Sequence, residues 1–265
     1  MEKITSLQNA RIKNLVRLQE KSRERREQGL VAVEGAREIS IALDNGYRPE
    51  ALFVCPELFA RSDYRSIADR IDGQVQTELS REVFEKLAYR EASDGVIALL
   101  KTKAHTLDSL PLSDTPFIIV LEAVEKPGNL GAILRTADAA KADAVIICDP
   151  ATDIYNPNVV RSSIGCLFSV PLAVASSPEA CRWLKEKHIR TFAAELRASE
   201  WYHEKDFTGP SAVLMGTEAD GLSPFWLENA DERIKIPMRG LIDSLNVSVS
   251  TAVLTFEAMR QRNFR

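Results

Sequence analysis

The sequence has no apolar run near the roughly 20 residues that a membrane-spanning helix requires, so we expect no membrane association. No signal peptide is expected either, because basic and acidic residues alternate from Lys13 to Glu27. Only 4 cysteines and 3 histidines are present. The cysteines lack CxxC spacing, which argues against a zinc site or a disulfide framework, and the histidines form no recognisable constellation. We therefore expect a metal-free cytoplasmic protein with reduced thiols.

A strong overall charge is also missing. The formal net charge is −4, which gives the whole chain no electrostatic attraction to nucleic acid. Residues 1–30 differ, with 8 Lys and Arg against 4 Asp and Glu. A helix is predicted over 7–26, where basic residues recur every four positions along one side, a spacing that suits the phosphate backbone of a nucleic acid. The alternative is a solvated face paired with Glu20, Glu24 and Glu27. The basic residues are Lys13, Arg17, Lys21 and Arg25.

Strands alternate with helices along most of the chain, which indicates an α/β protein. Residues 1–105 are expected to form a small α/β domain, and 106–115 a linker of weak periodicity. Residues 116–265 open with the apolar run Phe117–Leu121, which is typical of a strand buried on both faces, and are expected to form a parallel sheet with helices. Such sheets bind ligands at the carboxyl ends of their strands.

Individual elements give further expectations. A helix is predicted around Ser66 and a strand near Phe168. The final helix is expected to begin at a cap formed by Asn246 or Ser244, whose side chains accept hydrogen bonds from backbone N–H groups. The spacing of the larger apolar side chains in this helix predicts one buried face, made of Val249, Val253 and Phe256.

Three loops follow predicted strands: Glu122–Gly131, Gly216–Ser223 and Met238–Asn246. In the first, Asn129 is the expected helix cap, and Arg135 lies about 9 Å further along the helix axis, a distance most of which its long side chain can cover. In the second, two glycines let the backbone approach a ligand. The spacing of the second loop matches neither GxGxxG nor GxxxxGK, which argues against a dinucleotide site or a P-loop. Taken singly, each loop also fits an ordinary turn before a capped helix.

Together the blocks PGNLGAILRTA, GTEADGL and IPM followed by SLNVSVS resemble, in this order, the three signature motifs of the SpoU branch of the SPOUT RNA methyltransferases. The segment from Tyr155 to Gly165 resembles the middle segment of that family. The N-terminal domain is similar to the substrate-binding domain of the members that act on ribosomal RNA. The chain departs from the usual motif at Lys141, where many members have glycine, and at Glu125-Lys126 before Pro127.

The resemblance implies a C-terminal domain tied in a trefoil knot, contrary to the usual rule against threaded chains. It also implies a homodimer that binds S-adenosylmethionine and methylates a ribose 2′-hydroxyl of structured RNA, with 23S ribosomal RNA as the expected substrate. The polar functional set that it implies is Asn129, Arg135, Glu218, Ser244 and Asn246. The implied cofactor contacts are Gly216, Thr217, Ile236, Met238 and Leu245. Arg161 joins the N-terminal basic residues as an expected RNA contact.

Methyl transfer from a sulfonium donor needs no metal, so the protein has to align the 2′-oxygen and help to remove its proton. Because an arginine stays protonated, Arg135 is expected to clamp a phosphate and stabilise the developing oxyanion, and the base is unassigned. Glu218 is expected to orient Asn129 or Arg135, while Ser244 and Asn246 hold the cofactor loop. The alternatives are a transfer RNA 2′-O-methyltransferase, a base methyltransferase and a non-catalytic knotted RNA-binding assembly factor.

Overall fold

The computed structural model describes residues 2–59, 67–89, 93–198 and 200–264. Its internal contacts divide the chain into two compact units. The first unit contains Met1–Ala104 and Tyr155–Ser169, and the second contains His105–Ile154 and Val170–Arg265. This division differs from the expected domains chiefly in Tyr155–Ser169, which the sequence analysis assigned to 116–265. Within the described ranges, every helix is too short or too polar to cross a lipid bilayer.

The helices and strands are numbered in chain order. The strands are β1 (Glu2–Ile4), β2 (Leu30–Glu34), β3 (Pro49–Val54), β4 (Gln76–Leu79), β5 (Val96–Lys101), β6 (Phe117–Glu122), β7 (Ala144–Cys148), β8 (Leu172–Ala175), β9 (Arg190–Ala194), β10 (Glu200–Trp201), β11 (Ser211–Met215) and β12 (Glu232–Lys235). The helices are α1 (Ala10–Glu20), α2 (Ser22–Gln28), α3 (Ala36–Asp44), α4 (Arg81–Leu87), α5 (Pro127–Ala140), α6 (Pro157–Ser163), α7 (Cys166–Ser169), α8 (Ser177–Glu186), α9 (Pro224–Asn229) and α10 (Val247–Gln261).

The first unit is built on a five-stranded mixed sheet with the order β1-β4-β3-β5-β2. β4 runs parallel to both β1 and β3, whereas β5 is antiparallel to β3 and β2. Apolar residues of α1 and α4 cover this sheet and share one core with it, including Ile12, Leu15, Phe53 and Phe84. The expected small α/β domain is therefore present in this unit.

The predicted basic helix over 7–26 is two helices, because the backbone is extended at Lys21, with φ −115° and ψ 114°. The Nη1 atom of Arg25 donates to the carbonyl oxygens of Leu18 and Gln19, at 2.7 and 3.0 Å. These carbonyls belong to the last turn of α1, where no intrahelical donor remains. Arg25 is only 3% exposed. The expectation that Arg25 contacts RNA is therefore wrong, because its guanidinium is buried and caps the C-terminus of α1.

The second unit is built on a seven-stranded sheet with the order β10-β12-β9-β11-β6-β7-β8. Every neighbouring pair of strands in it is parallel. All residues of β6, β7 and β11 are buried, as expected for strands covered by helices on both faces. The predicted parallel α/β architecture is confirmed.

The strand order places a topological switch point at β6. From β6 the chain continues to β7 and β8 on one side, and it later returns to β9 and β11 on the other side. β11 lies directly beside β6, with Met215 in register with Leu121. The connections that follow β6 and β11 therefore leave from adjacent strand ends, which is where open α/β sheets bind ligands.

Three further sequence expectations concern the strand near Phe168, the helix around Ser66 and the linker over 106–115. Phe168 lies in helix α7, and the strand predicted near it begins only at Leu172, because a short apolar run does not by itself distinguish a strand from a helix. The helix predicted around Ser66 falls outside the described residues. The expected linker over 106–115 packs on the second unit, because its leucines contact the core of that unit. These residues are Leu107, Leu110 and Leu112.

The face predicted to be buried on the final helix is also wrong. Val249 and Phe256 are 47% and 42% exposed, and Val253 is only partly buried. α10 packs against α5 and against the strands β11 and β6, and these contacts bury a different face of the helix. The buried residues of α10 are Val247, Thr251, Leu254, Thr255, Ala258 and Met259. Val249, Val253 and Phe256 thus form an outward apolar stripe, called the α10 stripe below.

Candidate active site

The three loops predicted at the strand ends meet at one carboxylate. Glu218 Oε1 accepts hydrogen bonds from Asn129 Nδ2 at 2.5 Å and from Asn246 Nδ2 at 2.6 Å. The same Asn246 nitrogen lies 3.2 Å from Asn129 Oδ1, its acceptor. Asn129, Glu218 and Asn246 lie in the segments that follow β6, β11 and β12, in that order, and Asn129 is in the first turn of α5. These hydrogen bonds confirm that the three loops converge.

Lys126 completes this group. Its Nζ donates to Glu218 Oε2, the oxygen that the two amides leave unused. The hydrogen bond from Lys126, followed by that from Asn129, lowers the pKa of Glu218 below its ordinary value. Glu218 is therefore ionised and accepts hydrogen bonds on both oxygens. Lys126, Asn129, Glu218 and Asn246 are called the Glu218 cluster below.

Two helix N-termini contribute to the Glu218 cluster. Asn246 is the N-cap of α10, as predicted, and its Oδ1 accepts from the backbone nitrogen of Ser248 at 3.0 Å. Asn129 is not a cap, because α5 begins earlier and Lys126 occupies the N-cap position. Because the Asn129 side chain makes no capping hydrogen bond to the helix backbone, its amide is available to donate to Glu218. The positive ends of both helix dipoles favour a carboxylate at this place.

The loop after β11 is closed on itself. The backbone nitrogen of Thr217 donates to Gly221 O at 2.9 Å, and Gly221 N donates back to Thr217 O at 3.2 Å. Gly221 has a φ of 71°, in the left-handed region that favours glycine. A Cβ atom on Gly216 would overlap the carbonyl group of Gly221 and the backbone nitrogen of Leu222. The two glycines thus allow the backbone to double back beside Glu218.

A cavity of about 530 Å³ in the second unit adjoins this loop, and Glu218 lines it. It is lined by every residue that the motifs implied for the cofactor, namely Gly216, Thr217, Ile236, Met238 and Leu245. The loop after β9 also lines the cavity with Glu195, Leu196 and Arg197, which the sequence analysis missed. The available signal was the strand Arg190–Ala194, because its carboxyl end belongs to the ligand-binding edge of the sheet.

Two members of the implied polar set lie apart from the Glu218 cluster. Within the described residues, the exposed Arg135 side chain makes no hydrogen bond or ion pair. Arg135 lies six residues after Asn129 on α5, which places it roughly 240° around the helix axis from Asn129, at about 100° per residue. Ser244 lines the cavity, and its Oγ donates to Asp243 Oδ1 at 3.0 Å. Asn129, Glu218 and Asn246 are the part of the predicted set that hydrogen bonds bring together.

A buried polar network holds the same strand ends, and the sequence analysis did not identify it. Glu122, the last residue of β6, is 7% exposed. Its Oε1 accepts from Ser223 Oγ at 2.6 Å and its Oε2 from Ser223 N at 2.7 Å. Ser177 Oγ donates to Asp149 Oδ2 at 2.6 Å and accepts from Trp226 Nε1 at 2.9 Å. An acidic residue that ends an apolar strand was the available signal.

The first unit carries a row of basic side chains near its N-terminus. Lys13, Arg17 and Lys21 are exposed, and among the described residues none of them forms an ion pair. The pairing expected in the alternative interpretation involves Arg23 instead, whose Nε lies 2.6 Å from Glu27 Oε1. Unpaired exposed cations are suited to contact with phosphate groups.

Arg161 lies near an exposed aromatic residue of the first unit. Its side chain is exposed on α6, and it shares a small depression with Tyr89, which is 45% exposed. The backbone nitrogen of Tyr89 donates to Glu34 Oε2 at 2.6 Å, which anchors this aromatic residue. A guanidinium and an aromatic ring are the groups on which unpaired RNA bases stack.

Comparison with known families decides the assignment. Residues 116–256, more than half of the chain, match the SpoU rRNA Methylase family. The chain belongs to the SpoU rRNA methylase family. Residues 9–98 match the MRM3-like substrate binding domain, so the SpoU methylase domain here follows a domain of that type.

Methyltransferases of 23S rRNA with similar sequences are known from several bacteria. The 23S rRNA (uridine(2479)-2'-O)-methyltransferase of Streptomyces viridochromogenes is 32% identical, over 98% of this chain and 92% of that protein. The 23S rRNA (guanosine-2'-O-)-methyltransferase RlmB of Escherichia coli (strain K12) is 35% identical, over 72% of this chain and 81% of that protein.

Solved structures of RNA methyltransferases share the fold. An RNA 2'-O ribose methyltransferase has a TM-score of 0.86 and 39% identity, over 98% of this chain and 99% of the other. An AdoMet-bound rRNA methyltransferase from Sinorhizobium meliloti has a TM-score of 0.89 and 28% identity, over 98% and 97%. The likeness therefore extends over both units. The trefoil knot that the motifs imply stays a prediction.

Proposed function

We propose that this chain transfers a methyl group from S-adenosylmethionine to a ribose 2′-hydroxyl of 23S ribosomal RNA. The observation that carries the proposal is the Glu218 cluster, in which hydrogen bonds join three separate loops beside the 530 Å³ cavity. The similar proteins from Streptomyces viridochromogenes and Escherichia coli are 2′-O-methyltransferases of 23S rRNA by name, and the first of them matches 98% of this chain.

The cavity suits S-adenosylmethionine. Its volume of about 530 Å³ lies within the roughly 300–1,000 Å³ typical of small-molecule sites. Apolar side chains such as Met215 and Leu254 supply walls for the adenine ring, and Ser244 supplies a hydroxyl. Ile236 and Leu245 lie outside strands and helices, so the sheet does not occupy their backbone N–H and C=O groups. These features fit a ligand that has an apolar ring and several polar groups.

S-adenosylmethionine supplies an activated methyl group with a neutral leaving group, so the reaction needs no metal. The residues of the chain have to orient the ribose and stabilise charge on its 2′-oxygen. An amide nitrogen carries two hydrogens, and Asn129 uses one of them on Glu218, so its second hydrogen is available to the ribose. Asn246 uses both hydrogens within the Glu218 cluster, so its role is to fix the loop that leads to the cofactor.

Arg135 is proposed as the phosphate clamp. An arginine side chain is permanently charged, and the guanidinium of Arg135 is exposed and forms no ion pair among the described residues. A free guanidinium binds a phosphate by two parallel hydrogen bonds, and it also stabilises negative charge that develops on a nearby oxygen. The same permanent charge makes Arg135 unsuitable as the base.

Ribosomal RNA is preferred over transfer RNA because of the extent of the matches. A structure described as concerning 2-OH methylation of C/U34 on tRNA matches 58% of this chain, with a TM-score of 0.51 and 28% identity. The Streptomyces rRNA enzyme matches 98%. The additional match includes the first unit, whose exposed cations fit an RNA partner. A ribosomal RNA substrate also agrees with the cytoplasmic location expected from the sequence.

A homodimer is proposed from the α10 stripe. Val249 and Phe256 expose 47% and 42% of their surface beside the partly buried Val253. Contiguous exposed apolar side chains typically mark an interface. A second copy of the chain would bury the stripe against its own equivalent by two-fold symmetry.

The test of the proposed activity is methyl transfer by the purified full-length protein. The protein would be incubated with radiolabelled S-adenosylmethionine and either 23S rRNA or total transfer RNA, and the products mapped for ribose methylation. Methylation of one nucleotide of 23S rRNA is expected, and the same nucleotide should lose its 2′-O-methyl group in a deletion strain. Methylation of transfer RNA alone, of a base, or of neither RNA would refute the proposal in favour of the corresponding alternative.

A further inference from the structure

Lys126 occupies a helix N-terminus, where capping side chains such as Ser, Asp and Asn and acidic residues are ordinarily preferred. It is the N-cap of α5, its side chain makes no capping hydrogen bond, and the first turn of α5 contains no acidic residue. A cation at this end opposes the helix dipole. It also stands at one of the positions where this chain departs from the usual motif. A residue that breaks a local rule without a local gain indicates a functional reason.

The hydrogen bond between Lys126 and Glu218 indicates what this functional reason is. The two oxygens of Glu218 bind different groups: Oε1 accepts from Asn129 and Asn246, and Oε2 accepts from Lys126. Without a cation on Oε2, the carboxylate can rotate and share the two amides between its oxygens. With the cation in place, both amides are directed to one oxygen, and the free hydrogen of Asn129 acquires one orientation.

From this division of partners we propose that Lys126 is a positioning residue for methyl transfer: it holds Glu218 Oε2 so that Oε1 fixes the Asn129 amide toward the ribose. This inference rests on the function proposed above. Lys126 acts through Glu218 and does not itself touch the reacting atoms. The lowered pKa of Glu218, of which the Lys126 hydrogen bond is the largest cause, agrees with a tight pair.

The charge of Lys126 also serves the approach of RNA. Its side chain is 69% exposed, whereas that of Glu218 is 26% exposed, so the ammonium lies on the outer side of the pair. An unpaired carboxylate here would repel the phosphates of an incoming RNA strand. The paired ammonium cancels that repulsion, so its loss should raise the KM for RNA as well as lower kcat.

Three full-length variants test the proposal: Lys126→Met, Lys126→Arg and, as a control, Lys187→Met. Lys187 is an exposed lysine at the end of α8 and has no hydrogen bond or ion pair from its side chain among the described residues. The measurements are kcat and KM for 23S rRNA, the Kd of S-adenosylmethionine, and the NMR resonances of the Asn129 and Asn246 side-chain amides.

Lys126→Met is expected to lower kcat by roughly 10- to 100-fold, the loss that a misplaced catalytic group typically causes, with little change in cofactor Kd. Its Asn129 and Asn246 amide resonances should shift, and Lys126→Arg should restore both the resonances and most of kcat. Lys187→Met should match the unsubstituted protein. Unshifted amides, or a kcat within about twofold in Lys126→Met, would overturn the proposal. If the unsubstituted protein methylates no RNA, the proposed function fails, while the amide resonances still test the role of Lys126.

Discussion

A hydrogen bond of 2.5 Å joins Asn129 Nδ2 to Glu218 Oε1 across 89 residues of sequence. The sheet makes this bond possible, because β6 and β11 are neighbours and their carboxyl ends are in register at Leu121 and Met215. The loops that follow these strands therefore begin side by side.

The first prediction concerns the charge of Glu218. Glu218→Gln keeps the shape of the side chain but removes the charge and replaces one acceptor oxygen by a donor. We expect kcat to fall by about 100-fold, because Asn129 and Asn246 lose their common anchor. The measurement is methyl transfer to 23S rRNA, with Glu228→Gln as the control, since Glu228 is exposed on α9. Equal activity of Glu218→Gln and the unsubstituted protein would remove Glu218 from the site.

The second prediction concerns Gly216. In Gly216→Ala the added methyl group meets backbone atoms of Gly221 and Leu222, which cannot move without opening the loop. We expect a loss of stability of about 1–3 kcal/mol, the typical range for overpacking, together with loss of S-adenosylmethionine binding. Thermal unfolding and calorimetry measure both. Gly209→Ala is the matched control, because a Cβ there meets no atom within 4 Å. Unchanged cofactor affinity in Gly216→Ala would contradict the assigned cavity.

The third prediction separates two arginines of the basic segment. Arg25→Met should destabilise the protein by about 1–3 kcal/mol, because the carbonyls of Leu18 and Gln19 lose a buried donor. Arg17→Ala should leave stability unchanged. It should weaken RNA binding and reduce the slope of log affinity against log salt concentration by about 1. Urea unfolding and salt-dependent binding assays measure the two effects. A stable Arg25→Met variant with weakened RNA binding would reverse the assignment of the two residues.

The fourth prediction concerns the oligomer. Phe256→Glu places a charge in the α10 stripe, so we expect the dimer to dissociate into monomers. Light scattering across a range of protein concentrations measures the mass. The fold should persist, because Phe256 is 42% exposed in the single chain, and circular dichroism checks this. A variant that keeps the mass of the unsubstituted dimer would show that the interface lies elsewhere.

The fifth prediction concerns pH. The pKa of Glu218 is lowered, first by the Lys126 hydrogen bond and then by that of Asn129. A carboxylate with a lowered pKa stabilises the site above its unfolded pKa, and this contribution is lost as the pH falls through the folded pKa. The Glu218 cluster should thus persist to a lower pH than an isolated glutamate permits. Lys126→Met should move this loss to higher pH, seen as a shifted acid limb of kcat. An unmoved acid limb would contradict the coupling.

The sequence alone determined the features that arise from neighbouring residues. The alternation of strands and helices predicted the α/β class, and the strands Ala144–Cys148 and Arg190–Ala194 have the expected limits. The motif blocks identified the loops that line the cavity, and Asn246 was a predicted cap of the final helix. Such features depend on periodicity and capping within a few residues, which a linear pattern records directly.

Tertiary structure decided which partner each side chain found. Arg25 belongs to a basic row by spacing, yet a break at Lys21 turns it onto the end of α1. Val249 and Phe256 were the expected core of α10, yet the contacts with α5 and the sheet bury another face, which contains Leu254 and Met259, and leave these two exposed. Lys126 became a partner of Glu218 only because β6 and β11 are adjacent in the sheet. These outcomes depend on distances between residues far apart in the chain, which local sequence patterns do not encode.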